Sequence, residues 1–400
     1  MKKVFFLLMG FSLGQGSMFL AQSYLIYQDK YEITSQSAIG LGFLSLAYWV
    51  VEMGGIFTFN KAFEKSPSEI CNYLTARLII GLCVSLISFI CVKFLYIRDE
   101  LLLGVVSIAP LIAVSTTISL LGYIDATQKN DRISHTSGLP WILSASCLLI
   151  PENLTTPYQH GVTIGLAFLT GQLIFTKLQY TCLRQEISHL NFKKVQADRV
   201  IQYIKYGLAY NLSFSSSQIY GRITPALIDA LIGAKISSIY IYIRNITNLF
   251  SQISIFAKRL EFSNLSHIKN HHLKTLLQAQ KNSSSLTAAS LITMVTLIGI
   301  SHAADNLEFL PTEAWPILLL QITIYLLFNI SGLYSQPLTA KGKILESGKI
   351  QAFQSAICIL LAYPTLKLGG LSLMLLSEAS ILALGIYFYS NRLQLALKRE

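Results

Sequence analysis

The sequence predicts an all-α polytopic membrane protein of about twelve transmembrane helices with both termini in the cytoplasm. Only 13% of the 400 residues are charged and 52% are hydrophobic, whereas a soluble domain usually carries about 25% charged residues. Long apolar runs recur along the whole chain, and the basic residues between them fall mainly on alternate loops. That alternation is the positive-inside pattern of a membrane protein.

Each apolar run has about the 20 residues that a helix needs to cross a hydrocarbon core of roughly 30 Å. The runs are continuously apolar, without the alternation of membrane-barrel strands, and a helix satisfies its backbone hydrogen bonds within one segment. The predicted spans are residues 4–26, 37–59, 76–97, 101–123, 133–151, 160–181, 202–232, 236–257, 285–303, 314–335, 350–368 and 370–390. The fifth is the weakest, because its apolar core is short and contains Pro140.

The basic residues predict which loops are cytoplasmic. Most of the 31 Lys and Arg residues, including Arg77, fall on the side that also holds both termini. An even number of spans follows from this arrangement. The net charge of +11 is thereby explained without a nucleic-acid partner, and none is predicted.

A polar, basic stretch divides the chain into two halves of about six spans each. We predict an N-terminal six-helix lobe at 1–182, a cytoplasmic connecting loop at 183–199 and a C-terminal six-helix lobe at 200–400. Equal halves suggest an internal repeat, which is common in secondary transporters. A second polar stretch, 258–284, mixes Leu and Ile with Lys and His, which predicts an interfacial helix on the inner leaflet.

Polar side chains line up along single faces of several predicted spans. In the seventh span they recur at steps of three and four, which places them on one face of a helix: Asn211, Ser215, Gln218, Arg222, Pro225 and Asp229. Other predicted spans carry further polar groups: Gln15 in the first, Glu52 in the second, Arg244 and Asn248 in the eighth, Gln321 in the tenth and Glu378 in the twelfth.

Two interpretations compete for these groups. Interhelical hydrogen bonds in membranes average about 0.6 kcal/mol, whereas an arginine at the bilayer centre costs at least about 2.5 kcal/mol. We therefore predict that Arg222 and Arg244 face an aqueous cavity and meet an anionic substrate. For Glu52 and Glu378 the functional and the packing interpretations both stay open. Asp229 could also neutralise Arg222, two turns or roughly 10 Å away along the helix.

Catalytic and metal sites are not predicted. The six cysteines are scattered and form no CxxC pair, as expected of buried small side chains. His267 and His271 are four residues apart without a third ligand nearby, so a solvated helix face is favoured over a metal site. The predicted outer loops are short, which leaves no soluble domain for catalysis.

The resemblance to a known family rests on short motifs spread over most of the chain. They are Gly14-Gln15-Gly16, Glu52-Met53-Gly54, RITPALIDALIGAKISSIYIYIRNITNLF from Arg222, and LKLGGLSLMLLSEAS around Glu378. This pattern resembles Wzx-type O-antigen flippases, in the polysaccharide-transporter branch of the multidrug/oligosaccharidyl-lipid/polysaccharide (MOP) exporter superfamily. Glu52 stands where that family more often has Asp.

The resemblance implies a MATE-like, V-shaped bundle of two six-helix lobes around a central cavity. It implies a flippase that moves an undecaprenyl-diphosphate-linked oligosaccharide, the O-antigen repeat unit, to the periplasmic leaflet of the bacterial inner membrane. Expected partners are that substrate, membrane lipid and other polysaccharide-assembly proteins, with a proton or sodium gradient and no cofactor. The expected substrate-binding residues are Arg222, Arg244, Asn211, Gln218, Asn248 and Gln15, and the residues for ion coupling or ion pairing are Glu52, Asp229 and Glu378.

Three alternatives have different signatures. A multidrug exporter of the same fold would more naturally present an anionic cavity to cationic drugs, against which the two arginines argue. An O-antigen polymerase would be expected to have a large periplasmic loop, and the predicted loops are short. A non-transporting scaffold would leave the polar stripes unexplained. The sequence therefore favours a transporter over an enzyme.

Overall fold

The computed structural model describes residues 2–52, 67–94, 99–121, 124, 133, 136–184, 195–265, 268, 271–303 and 314–398. Within these ranges the chain is almost entirely helical. It divides into two compact units, Met1–Arg222 and Ile223–Glu400. The prediction of an all-helical chain is thus confirmed, while the number of twelve spans and the cytoplasmic termini stay predictions.

Eight α-helices begin within the described part of the first unit, and five more are described in the second. The first eight are α1 (Lys2–Tyr27), α2 (Tyr31–Glu52), α3 (Pro67–Phe94), α4 (Glu100–Val106), α5 (Ala109–Thr117), α6 (Leu139–Leu148), α7 (Pro157–Cys182) and α8 (Ala197–Leu231). The second unit continues with α9 (Ala234–Leu265), α10 (Leu273–Ala279), α11 (Lys281–Ala303), α12 (Ala314–Ala340) and α13 (Ile344–Lys398).

Two predicted spans are interrupted or shortened by proline. The fourth becomes α4 and α5, since the chain turns at Ser107 and Ile108 and Pro110 lies in the first turn of α5. Proline lacks the N–H of a helix interior and is tolerated in a first turn. The fifth is represented by α6, a helix of ten residues that also has its proline, Pro140, in the first turn.

The last two predicted spans form one helical hairpin, α13. Its two arms meet at Gly369 and Gly370, and Gly370 has a φ of 66°, which glycine adopts without the steric cost of a Cβ. The arms run antiparallel, because the Tyr389 hydroxyl donates to the Ser347 carbonyl (3.3 Å) and Gln354 Nε2 donates to the Ile381 carbonyl (3.3 Å).

The outer surface of several helices is apolar. Along α3, the side chains of Leu82, Leu86, Phe89 and Phe94 are more than half exposed, and such continuous apolar surface marks contact with lipid rather than water. Five segments among the described residues are long and apolar enough to cross a membrane: Glu69–Phe94, Glu100–Thr117, Pro157–Cys182, Ala314–Ala340 and Ile344–Lys398. The chain is a multi-pass membrane protein.

The division between the two compact units falls inside α8, while the predicted six-helix lobes and the connecting loop at 183–199 stay predictions. The first turns of α8 pack on the first unit, where Tyr203 shares an apolar cluster with Ile70 and Tyr73 of α3. The Tyr203 hydroxyl also donates to Glu69 Oε2 at 3.0 Å. These contacts explain why the beginning of α8 belongs to the first unit.

Helices α4 and α7 approach closely through glycine. A Cβ atom on Gly104 would lie 2.8 Å from the backbone nitrogen of Val162 and 3.0 Å from Gly161 Cα. Backbone atoms cannot yield as a flexible side chain does, so the absence of a side chain at Gly104 sets this helix spacing. Small residues play this part commonly in membrane helix packing.

Replacing Gly104 by alanine is therefore expected to lower the free energy of unfolding by about 1–3 kcal/mol, as overpacked cores do. The matched control is Gly16→Ala in α1, where an added Cβ would meet nothing within 4 Å and the helix should gain about 0.5–1 kcal/mol. Thermal unfolding of the purified protein in detergent measures both. Equal shifts for the two variants would contradict the close contact.

Candidate functional site

The first unit contains a fully buried ion pair. Arg77 on α3 has no exposed surface, and its Nη2 lies 2.7 Å from Oε2 of Glu52, the last residue of α2. Nη2 also donates to the Thr116 carbonyl at 2.7 Å, and Nη1 donates to the Ser119 carbonyl at 2.5 Å. One guanidinium therefore joins the ends of α2 and α5 to α3.

An aromatic side chain completes this cluster. The guanidinium carbon of Arg77 lies 5.3 Å from the ring centre of Tyr73, one turn earlier in α3. The Tyr73 hydroxyl donates to the backbone carbonyl of Glu52 at 3.3 Å. The carboxylate and the guanidinium neutralise each other in a site closed to solvent, where a charge without a partner would cost several kcal/mol.

The charge pattern predicts that Arg77 lies on the cytoplasmic side, whereas the structure buries it. The reason is that α3 begins at Pro67, nine residues before the predicted span. Arg77 consequently lies ten residues into the helix, roughly 15 Å from its start. Its partner Glu52 was predicted for ion coupling or ion pairing, and the structure places it in this pair. Coupling by Glu52 stays a prediction.

Two of the predicted substrate-binding residues on α8 lie against α2. Asn211 is largely buried and its Nδ2 donates to the Val50 carbonyl at 2.7 Å. Arg222 is half-buried, and a Cβ atom on Gly42 would lie 3.2 Å from Arg222 Cδ. Gly42 therefore makes room for the arginine stem. The Asn211 amide serves helix packing, and substrate contact by either residue stays a prediction.

The remaining predicted residues of the first unit have different environments. Gln15 is half-buried on α1, whereas Gln218 is exposed on α8. Asn211, Gln218 and Arg222 belong to one unbroken helix, so their spacing does place them on one face, as predicted. The side chain of Ser215 lies outside the described residues.

A second polar cluster lies in the second unit, around the buried hydroxyl of Tyr240 on α9. Arg244, one turn later, places Nη1 at 3.5 Å from this hydroxyl and its guanidinium carbon 5.8 Å from the ring centre. Gln321 of α12 and Glu378 of α13 lie near the same hydroxyl. Three helices thus contribute to one cluster.

This cluster brings together two residues that were predicted separately, Arg244 and Glu378. The sequence does not predict Tyr240 as a site residue, because tyrosine is an ordinary residue of apolar membrane helices. Its position four residues before Arg244 is the sequence signal that could have found it, since i and i+4 side chains are neighbours on a helix. Both arginines with a described cation–π contact, Arg77 and Arg244, have a tyrosine at that spacing.

The other predicted residues of the second unit lie outside this cluster. Asn248 is exposed on α9, and Asp229 is half-buried near the end of α8. Close by, the Pro225 carbonyl accepts a hydrogen bond from the Ser237 hydroxyl at 3.1 Å, so α8 and α9 are tied at their junction. Among the residues that the structure describes, no group of three or more His, Cys, Asp or Glu could hold a metal ion.

Comparison with known proteins gives matches at the level of structure. No family model and no curated protein sequence matches the chain. An inward-facing MATE multidrug-resistance transporter of the MOP superfamily superposes with a TM-score of 0.62, at 14% identity, covering 100% of this chain and 96% of that one. The lipid II flippase MurJ, in an inward closed conformation, gives a TM-score of 0.59 at 13% identity, covering 97% of this chain and 84% of that one.

A third structure is a MOP superfamily transporter from Pyrococcus furiosus, described as having a binding pocket of reverse polarity. It superposes with a TM-score of 0.50 at 12% identity, covering 99% of this chain and 95% of that one. Identities this low show the fold alone. All three likenesses extend over nearly the whole chain, through both compact units. The chain therefore has the fold that the MATE transporter and the lipid II flippase MurJ share.

Proposed function

We propose that this protein is a flippase for an undecaprenyl-diphosphate-linked oligosaccharide. It would carry an O-antigen repeat unit from the cytoplasmic to the periplasmic leaflet of the bacterial inner membrane by alternating access, driven by a proton or sodium gradient. The observation that carries the proposal is Arg244, a half-buried arginine within a predicted span, held beside the Tyr240 ring.

Arginine suits a diphosphate for a geometric reason. Its planar guanidinium presents several N–H donors in a fixed fork that matches phosphate oxygens. The hydroxyl and ring of Tyr240 orient the side chain, and orientation matters because an arginine loses conformational freedom when it binds. Arg222, which lies beside Gly42 in the first unit, is a second half-buried arginine within a predicted span.

The Glu52–Arg77 pair also favours an anionic substrate. A drug exporter for cations needs accessible carboxylates, and the pair removes Glu52 from that role because the carboxylate already faces Arg77 at 2.7 Å. Protonation of Glu52 would leave the buried guanidinium without its counter-ion, which is costly. We therefore assign gradient coupling to Glu378 or Asp229 in preference to Glu52.

The second candidate is a multidrug exporter, which the likeness to MATE transporters supports. The two functions predict opposite ligand charges. Thermal unfolding of the purified protein should distinguish them, since a ligand that binds only the folded state stabilises it by about 2.7 kcal/mol at a hundred-fold excess over Kd.

We expect the melting temperature to rise with an undecaprenyl-diphosphate-linked oligosaccharide and to stay unchanged with the lipophilic cation tetraphenylphosphonium. Undecaprenol, which has the same hydrocarbon and no phosphate, is the matched control for nonspecific lipid binding. Stabilisation by the cation and none by the diphosphate would support the exporter instead.

A further inference from the structure

The short helix α10 presents two different faces at one end of the second unit. Leu276 is completely buried and packs in an apolar cluster with Leu338 of α12 and Leu393 of α13. Leu273 and Leu277, one turn apart on another face, are 48% and 39% exposed. Leu276 thus anchors the helix, while Leu273 and Leu277 point away from the unit.

α10 is tied to the unit on its C-terminal side. After it, Gln280 Nε2 donates to the Leu333 carbonyl of α12 at 3.0 Å. The Glu261 carboxylate of α9 accepts from the backbone nitrogens of Asn282 (2.7 Å) and Ser283 (3.3 Å) in the first turn of α11. The outward leucines therefore belong to a fixed surface, and their exposure has to be accounted for by something outside the unit.

The charges around α10 indicate what covers it. The apolar cluster joins α10 to the ends of α12 and α13, so the basic residues of these ends share one surface with it: Lys274, Lys281, Lys341, Lys343, Lys349, Arg392 and Lys398. The acidic residues described at the same end are Glu346 and Glu261, and Glu261 is buried against backbone amides. The surface is strongly positive with an apolar stripe.

We propose that α10 and the basic residues around it form a docking surface for anionic phospholipid headgroups, with Leu273 and Leu277 inserted at the level of the acyl chains. Apolar residues flanked by lysines are the composition of helices that lie in a membrane interface. Lysines near an anionic leaflet are attracted to its surface potential. The inference rests on the membrane setting and is independent of the transported substrate.

The test places a fluorescent reporter on α10 of the full-length protein. Leu277→Trp and, one position around the helix, the exposed Gln278→Trp are made with Trp49, Trp141 and Trp315 changed to Phe. Each is reconstituted in vesicles of phosphatidylcholine and phosphatidylglycerol in equal parts, with acyl chains brominated near the headgroup. We expect the reporter at 277 to be quenched about two-fold more by bromine than the one at 278, and the reporter at 278 to be quenched more by aqueous iodide.

The charge requirement is tested in the same background. Lys274→Glu with Lys281→Glu should lower bromine quenching at 277 in the mixed vesicles to the level found in phosphatidylcholine alone. The matched control is Lys177→Glu with Lys205→Glu in the first unit, where quenching at 277 should not change. Equal quenching at 277 and 278 would overturn the proposal. Bromine quenching at 277 that is the same with and without phosphatidylglycerol would also overturn it. A reporter shielded from both bromine and iodide would indicate a protein partner instead and would also overturn it.

Discussion

Replacing Arg77 by alanine is expected to lower the free energy of unfolding by about 3–5 kcal/mol, the usual cost of leaving one member of a buried ion pair alone. The substitution would remove the positive charge that neutralises the Glu52 carboxylate, which is only 6% exposed. It would also remove the guanidinium N–H groups that donate to the Thr116 and Ser119 carbonyls, and the Thr116 carbonyl would keep the Ser119 backbone N–H at 3.1 Å as its donor. Unfolding of the purified protein by heat or denaturant, followed by circular dichroism, measures the loss.

The control for this prediction is an arginine in a surface pair. Arg199 lies 3.9 Å from Glu69 Oε1 with its side chain 47% exposed, so Arg199→Ala should cost less than about 1 kcal/mol. The double variant Glu52→Leu/Arg77→Met should recover much of the loss, because an apolar pair of similar volume often replaces a buried ion pair without penalty. An Arg77→Ala protein as stable as the Arg199→Ala protein would refute the role given to the pair.

Replacing Arg244 by alanine is expected to slow transfer of the lipid-linked oligosaccharide by about ten- to a hundred-fold, since a hydrogen bond to a charged group contributes about 1.5–3 kcal/mol. Stability should change much less than in Arg77→Ala, because Arg244 is only half-buried. Arg244→Lys keeps the charge but loses the planar fork, so its rate should be intermediate. The measurement is the rate of transfer between leaflets in reconstituted vesicles.

Two further variants separate a substrate contact from a structural one. Arg184→Ala removes an exposed arginine at the end of α7 and should leave the transfer rate unchanged. Tyr240→Phe keeps the ring under Arg244 and removes the hydroxyl, so it should slow transfer less than Arg244→Ala does. A transfer rate for Arg244→Ala equal to that for Arg184→Ala would exclude Arg244 from the transport site.

The fold was largely predictable because a bilayer imposes a simple rule. A spanning helix must be apolar for about 20 residues, and most of the predicted runs correspond to the helices observed. The rule fails where local chemistry interrupts a run, as at Pro110, which separates α4 from α5. The polar stretch 258–284 differs as well. Its mixed composition predicts one interfacial helix, whereas the structure divides the stretch into the end of α9, α10 and the start of α11.

The candidate sites were less predictable, because their partners come from distant parts of the chain. Arg77 was missed since hydropathy starts a span where polar residues stop, yet α3 begins earlier. Ser66-Pro67-Ser68-Glu69 has the spacing of a capping box with proline at the first helical position, and would have placed the helix start correctly. Arg77 contacts Glu52, which is 25 residues earlier in the chain. This contact depends on how the helices pack, so the local sequence around either residue does not predict it.

Transfer of a lipid-linked oligosaccharide across a defined bilayer distinguishes a flippase from a drug exporter. The purified protein would be reconstituted in vesicles carrying a labelled undecaprenyl-diphosphate-linked oligosaccharide in one leaflet, with and without a proton or sodium gradient. We expect the wild-type protein to transfer the oligosaccharide faster than protein-free vesicles do, to respond to one of the two gradients, and to lose most of this rate in the Arg244→Ala variant. No transfer by the folded wild-type protein under either gradient, together with efflux of a lipophilic cation from the same vesicles, would contradict the proposed function.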